Sequence, residues 1–135
     1  MNRRVLTEAA LRTAIAGTLA VSAYLHAQLY VTGYRFIHII GVMFIVQAGV
    51  SFALAALILL GAPPLLRLVA AGAAAGALAG FAGSRTVGVF GFTEHGWEPS
   101  PQSLISVLVE AATLLLLAPT LVGLGKAVGL RKPRG

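Results

Sequence analysis

The sequence predicts an all-α membrane protein: a bundle of four transmembrane helices, N-in/C-in, with a long outward loop between the third and fourth. Three observations carry that expectation. Hydrophobic residues make up 58% of the chain and charged residues 10%, against about 45–50% and about 25% in soluble domains. So few charges cannot cover a water-facing surface, and the mean hydropathy is +0.90. The apolar residues gather in four stretches, each near the ~20 residues that carry a helix across about 30 Å of hydrocarbon. The ~10-residue alternating segments of a membrane β-barrel are missing. Finally, the basic residues fall to one side of those stretches.

Residues 1–12, MNRRVLTEAALR, form a basic lead in which Arg3, Arg4 and Arg12 outweigh Glu8. The first span covers about 13–31. Val21-Ser22-Ala23 has the small side chains of a signal-peptide cleavage site after an apolar run; the expectation here is an uncleaved span. TGYR at 32–35 makes a tight turn, and the second span covers about 36–60. Gly61-Ala62-Pro63-Pro64 closes it, because a double proline cannot continue a helix. The third span covers about 66–83, the loop 84–101, and the fourth span about 102–124. Ser100 reads as its N-cap, with Pro101 at the first helical position. Residues 125–135 form a basic tail.

Orientation follows from the basic residues. With cytoplasmic termini the inner side carries Arg3, Arg4, Arg12, Arg67, Lys126, Arg131, Lys132 and Arg134, and the outer side only Arg35 and Arg85. A multi-pass protein of the plasma membrane is the expectation. The net charge of +6 is accounted for by these positions at span ends and by anionic headgroups, so nucleic acid is not an expected partner. Gly72, Gly76 and Gly80 give the third span a smooth groove for close helix packing, with Ser84 and Gly88 continuing the four-residue step. Another span of this chain is the expected occupant, in preference to a second copy or a membrane protein partner.

Two polar stripes mark the candidate interior. Thr18, Ser22, His26 and Tyr30 follow one face of the first span, and Ser103, Ser106, Glu110, Thr113 and Thr120 one face of the fourth. Polar groups in lipid must find partners, so both stripes should point inward. His26 lies about 8 Å and Glu110 about 11 Å below the outer span ends, and a hydrogen-bonded His26–Glu110 pair is the sharper of two readings. The other outcome is a protonated Glu110 bonded to a serine or a backbone carbonyl. Gln47 and Ser51 form a polar pair deep in the second span and should bond between helices. Tyr24, Tyr30, Tyr34 and Trp97 read as an interfacial aromatic belt, with no chemical role assigned.

The loop, SRTVGVFGFTEHGWEPSPQ from residue 84, is the one long stretch that is neither span nor charged tail. Its first part is apolar enough to lie in the headgroup region or to fold over the bundle mouth as a lid. Arg85 is placed to pair with Glu94 or Glu98, and His95 sits between Glu94 and Trp97. Together with His26 and Glu110 these residues are the expected polar pocket or ligand surface.

Chemistry is bounded by what is missing. There is no Cys and no Asp, which removes disulfides, thiolate metal sites, iron–sulfur ligation and covalent haem attachment. No serine stands in a recognisable nucleophile motif, and no phosphate-binding glycine motif occurs. His26, His95 and Glu110 are the candidate metal ligands by residue type, but without a spacing motif no cofactor is expected. Bis-histidine haem through His26 and His38 is disfavoured, since the two flank one tight hairpin.

GYRFIHIIG at 33–41 and SRTVGVFGFTEHGWEP at 84–99 resemble segments of a family of small, uncharacterised four-span membrane proteins of high-GC Gram-positive bacteria. The resemblance implies the topology and no activity. The family's first motif has proline in the slot of His38, which implies that His38 is not an essential ligand. Three function classes follow from the residues. The first is a non-enzymatic accessory or interaction subunit of a membrane complex. The second is a cation, proton or small-ligand binding or transport module, and the third a metal- or haem-binding redox protein.

Overall fold

The computed structural model describes residues 2–131. Lys132 and Arg134, counted above on the inner side, lie outside them. Among the described residues the chain forms four α-helices and no strand: α1 (Arg3–Thr32), α2 (Ile40–Leu59), α3 (Pro64–Ser84) and α4 (Gln102–Leu130). All four are long and apolar enough to cross a membrane. Even α2, the shortest with 20 residues, is about 30 Å long at 1.5 Å per residue.

The helices pack as a ring, α1 on α2, α2 on α3, α3 on α4 and α4 back on α1. Both termini lie at one end. Arg67, near the start of α3, donates through Nη2 to Glu8 Oε1 near the start of α1, and through Nη1 to Thr120 Oγ1 of α4 at 3.0 Å. This is the terminal end; the opposite, loop end holds the α3–α4 connection. Arg67 is thus buried, whereas its position beside the Pro63-Pro64 turn reads in the sequence only as an orientation signal.

Local chemistry sets the helix limits. α1 starts at Arg3 because the Asn2 side chain caps it, accepting the Arg4 N–H at 3.0 Å. α2 starts later than its expected span: Tyr34–Phe36 form a 3-10 turn and Ile39 sits at φ +65°. Gly41 allows that turn to lie flat on α2, since a Cβ there would stand 2.7 Å from the Tyr34 carbonyl oxygen. α2 ends in paired capping bonds, Ala62 N–H to Leu57 O at 2.9 Å and Gly61 N–H to Ile58 O at 3.0 Å, with Gly61 at φ +91°. Pro64 then opens α3 at a position that needs no N–H.

The start of α4 corrects the expected cap. Pro101 precedes the helix and Gln102 begins it, while Ser100 makes no capping bond. The Ser100 N–H is instead held by Glu98 Oε2 at 3.3 Å. The expected basic tail is helical through Leu130, Lys126 included.

The interior is layered. At the terminal end Ile15 and Leu19 of α1, Leu54 and Ile58 of α2, Ala70 of α3 and Leu117 of α4 form an apolar core. Above it lies a polar layer of Ser22, Ser51, Glu110 and Thr113, all buried. At the loop end Leu29, Tyr34 and Ile40 form a second core with Phe44, Val89 and Phe92. The outward faces stay apolar, as at Val42, Leu108 and Leu115, which fits lipid contact.

The groove of Gly72, Gly76 and Gly80 is not occupied from within the described chain. A Cβ at any of the three would meet nothing within 4 Å, and Gly72 and Gly76 are exposed. The expected internal partner is therefore not there, because α3 turns its alanines Ala70, Ala71 and Ala74 inward instead.

Candidate functional site

The loop is tied down at every turn. Backbone N–H groups of Gly88 and Glu94 take the last carbonyls of α3, on Gly83 at 2.8 Å and Ser84 at 2.9 Å. Between them Val89 and Phe92 exchange two backbone bonds of 2.9 Å each, closing a two-residue turn with Phe90 at φ +49° and Gly91 at φ +79°. Val89 and Phe92 point down into the loop-end core. Val87 (91% exposed) and Phe90 (72%) point out. Residues 86–93 thus fold over the bundle mouth as a lid with two apolar side chains outside it.

Arg85 holds the lid. Its Nη2 meets Glu94 Oε2 at 3.0 Å and donates to the Glu98 carbonyl, its Nε donates to Gly96 O at 3.1 Å, and its Nη1 to Ser84 Oγ at 2.6 Å. Its Cζ lies 4.0 Å from the Phe81 ring centre, and Trp97 stacks on Phe81 with ring centres 5.4 Å apart. Of the two expected carboxylate partners it takes Glu94; from Glu98 it takes only the backbone. With its donors committed, Arg85 is a structural cation.

Tyr34, which the sequence assigned only to an aromatic belt, completes this knot. It is buried, donates its hydroxyl to Glu94 Oε1 and stacks on Phe44 at 4.3 Å. Burial first, then the hydrogen bond and negative charge of Glu94, push its hydroxyl well above the ordinary phenol range. The sequence feature that goes with it is Gly41, where the absence of a side chain lets the Tyr34 turn lie against α2.

Deeper in, the two polar stripes face each other. Thr113 Oγ1 lies 2.8 Å from Thr18 Oγ1, and Ser22 Oγ donates to Glu110 Oε1 at 2.9 Å. His26 Nε2 stands 3.9 Å from the same Glu110 oxygen. That is close, but beyond a direct hydrogen bond, so Ser22 is the bonded partner and His26 the neighbour. The His26 Nδ1 bonds the Ser22 carbonyl at 2.8 Å. A carbonyl only accepts, so Nδ1 carries the proton and Nε2 is left with the lone pair. Gln47 Nε2 reaches across to Ala73 O of α3 at 3.1 Å and lies 3.5 Å from Ser51 Oγ, the interhelical bond expected of it.

Between the knot and these stripes lies a cavity of about 130 Å³ walled by all four helices and roofed by Val89 and Phe92. Its lining includes the polar side chains of His26, Gln47, Tyr34, Glu94 and Ser106 and the aromatic rings of Phe44 and Phe81. Glu110 is not on the wall; at 2% exposure it sits behind His26.

The remaining sequence candidates stand apart. His95 and His38 are exposed, and among the described residues no three of His, Cys, Asp or Glu gather in metal-binding range. Of the three candidate ligands only His26 and Glu110 are neighbours. Comparison with known protein families, with curated proteins and with solved structures finds no match to this chain.

Proposed function

We propose that the protein is a membrane-embedded binding module whose loop-end cavity takes a small amphiphilic molecule. The observation that carries this is the cavity itself, lined by residues of all four helices and of the pinned lid, with aromatic and polar side chains together on its lining. Pockets that combine apolar lining with a few placed polar groups are the usual form of a ligand site. About 130 Å³ is close to the roughly 150 Å³ of a cavity that holds benzene, so a ligand of that size with one polar head fits. Among the lining groups, the His26 Nε2 lone pair and the Gln47 Oε1 are acceptors without a bonded donor among the described residues. A donor-bearing head, such as an amine or hydroxyl, is the complement. The one-sided distribution of basic residues supports a plasma-membrane orientation with cytoplasmic termini and the cavity mouth outward.

Trp97, the sole tryptophan, stacks on a cavity-wall ring and is a built-in reporter. Titrating the detergent-purified protein with benzylamine and phenol should give a saturable change in Trp97 emission. Ala77→Leu, which fills the cavity from α3, should abolish it. Failure of all such compounds to saturate, or an unchanged response in Ala77→Leu, removes the ligand-site reading. A second role, as an interaction subunit of a membrane complex, is favoured by the exposed Gly72 and Gly76 row, where no group among the described residues would crowd an approaching helix.

A further inference from the structure

One buried titratable group is left unused by a ligand site alone. Glu110 lies mid-helix, 2% exposed, with Ser22 as its hydrogen-bond donor, the Ser106 hydroxyl beside it and, among the described residues, no cation set against it. The titratable and charged groups that bear on it are few. α1 presents His26 in the same layer and Tyr30 nearer the loop end; Glu8 and Arg12 of α1 and Arg67 of α3 belong to the terminal end. α2 has no charged or titratable residue between Ile40 and Leu59, and α4 adds none near Glu110. At the lid, Arg85 and Glu94 neutralise each other, with Tyr34 bonded to Glu94.

Two side chains link this carboxyl to the cavity, Ser106 one turn before it on α4 and His26, and of the two His26 is the base that can take up and release a proton. It lines the cavity, its Nδ1–H is fixed on the Ser22 carbonyl, and its Nε2 faces Glu110 at 3.9 Å. We propose that Glu110 is a proton-binding site filled and emptied through the cavity by His26. A hydronium ion in the cavity gives its proton to Nε2, leaving water and an imidazolium. The Nε2–H bond then breaks as an O–H bond forms on Glu110 Oε1, and the imidazole returns to its neutral form. The sum is carboxylate plus hydronium to carboxylic acid plus water, and the reverse empties the site. Ser22 keeps the carboxyl facing the ring throughout, since its hydroxyl proton is directed to Oε1. The idea rests on the cavity being a real, loop-end binding space, and it names the cation that space exchanges.

The test is infrared difference spectroscopy on the full chain in lipid nanodiscs, between about pH 5 and about pH 9, a range that brackets perturbed carboxyls. A protonated-carboxyl band should rise on acidification, vanish in Glu110→Gln, and move without vanishing in Glu110→Asp. The aspartate keeps the question answerable should the glutamine variant fail to fold. In heavy water the band's hydrogen should exchange about 100-fold more slowly in His26→Ala, the scale of losing one proton-transfer group. No pH-sensitive band attributable to residue 110, or equal exchange in His26→Ala, overturns the proposal. The outcome is separable from the ligand reading: no ligand is present, and a lost Trp97 response with an intact Glu110 band condemns only the ligand site.

Discussion

At the scale of single residues the lid depends on one charge and the groups it gathers. Replacing Tyr34 by Phe keeps the stack on Phe44 and removes only the hydroxyl donated to Glu94. The expected loss is about 1–3 kcal/mol, the range for a hydrogen bond to a charged group, read by unfolding in mixed detergent. Its pH dependence has a definite sign. The Tyr34 hydroxyl titrates higher in the folded protein than in the unfolded chain. Its contribution is therefore complete up to the ordinary phenol value of about 10 and disappears as pH rises through the higher folded value. The gap between wild type and Tyr34→Phe should be flat from neutral to about pH 10 and close only above it. A gap that closed below that point would place the hydroxyl outside the knot. Arg85 pairing with an acid of its own loop was legible, because few acids exist and two stand within reach in sequence. Tyr34 was not, because a tyrosine at a span end is equally at home in an interfacial belt, and its partner lies 60 residues away. The same limit applies to Arg67, whose partner Glu8 is 59 residues distant.

Among elements, the helices were legible and their junctions only in part. Four apolar runs and the Pro63-Pro64 stop are properties of local sequence, and they appear as four helices with the second turn where the prolines place it. The α1–α2 junction depends instead on a backbone approach that no side chain announces. Gly41→Ala would put a methyl 2.7 Å from the Tyr34 carbonyl and 3.0 Å from Arg35 Cα. Both obstacles are backbone, so relief requires moving the turn. A loss of about 2 kcal/mol or more, in the range of overpacked cores, together with a weakened Trp97 response, is the expected outcome. Near-neutral stability would mean that the turn is free to shift. The glycine row on α3 failed as an internal contact for a different reason. Spacing defines a smooth face but not what lies opposite, and here alanines suffice for the inner side. The lid turn shows a similar choice. Phe90 occupies a positive-φ position that favours glycine or asparagine, with its ring directed outward. That strained backbone gains no packing inside the molecule, which agrees with an apolar surface beyond the protein receiving the ring.

Across the whole molecule, the polar interior is interrupted partway through the bundle, between the loop-end groups and the Arg67–Glu8–Thr120 contacts of the terminal end. From the lid the hydrophilic groups descend through His26, Ser22 and Glu110 to the Thr18–Thr113 contact. Below them Ile15, Ile58 and Leu117 leave no exposed surface. The chain has no cysteine, so single substitutions can map this boundary directly. Ser106→Cys, on the cavity wall, should react with a small water-soluble thiol reagent, while Leu117→Cys should not until the protein is unfolded. Equal reactivity at both would mean that water passes the apolar layer. The facing stripes were visible as helical spacing; the depth at which they stop was not, because it depends on which apolar side chains from four helices meet at one level. The consequence of that stop is thermodynamic. A space stopped by this layer does not exchange through it with the terminal-end side, whatever the gradient across the bilayer. On the proposed ligand-site reading the protein would hold its ligand and not pump it, since moving cargo across the bilayer would require the Ile15–Ile58–Leu117 layer to open.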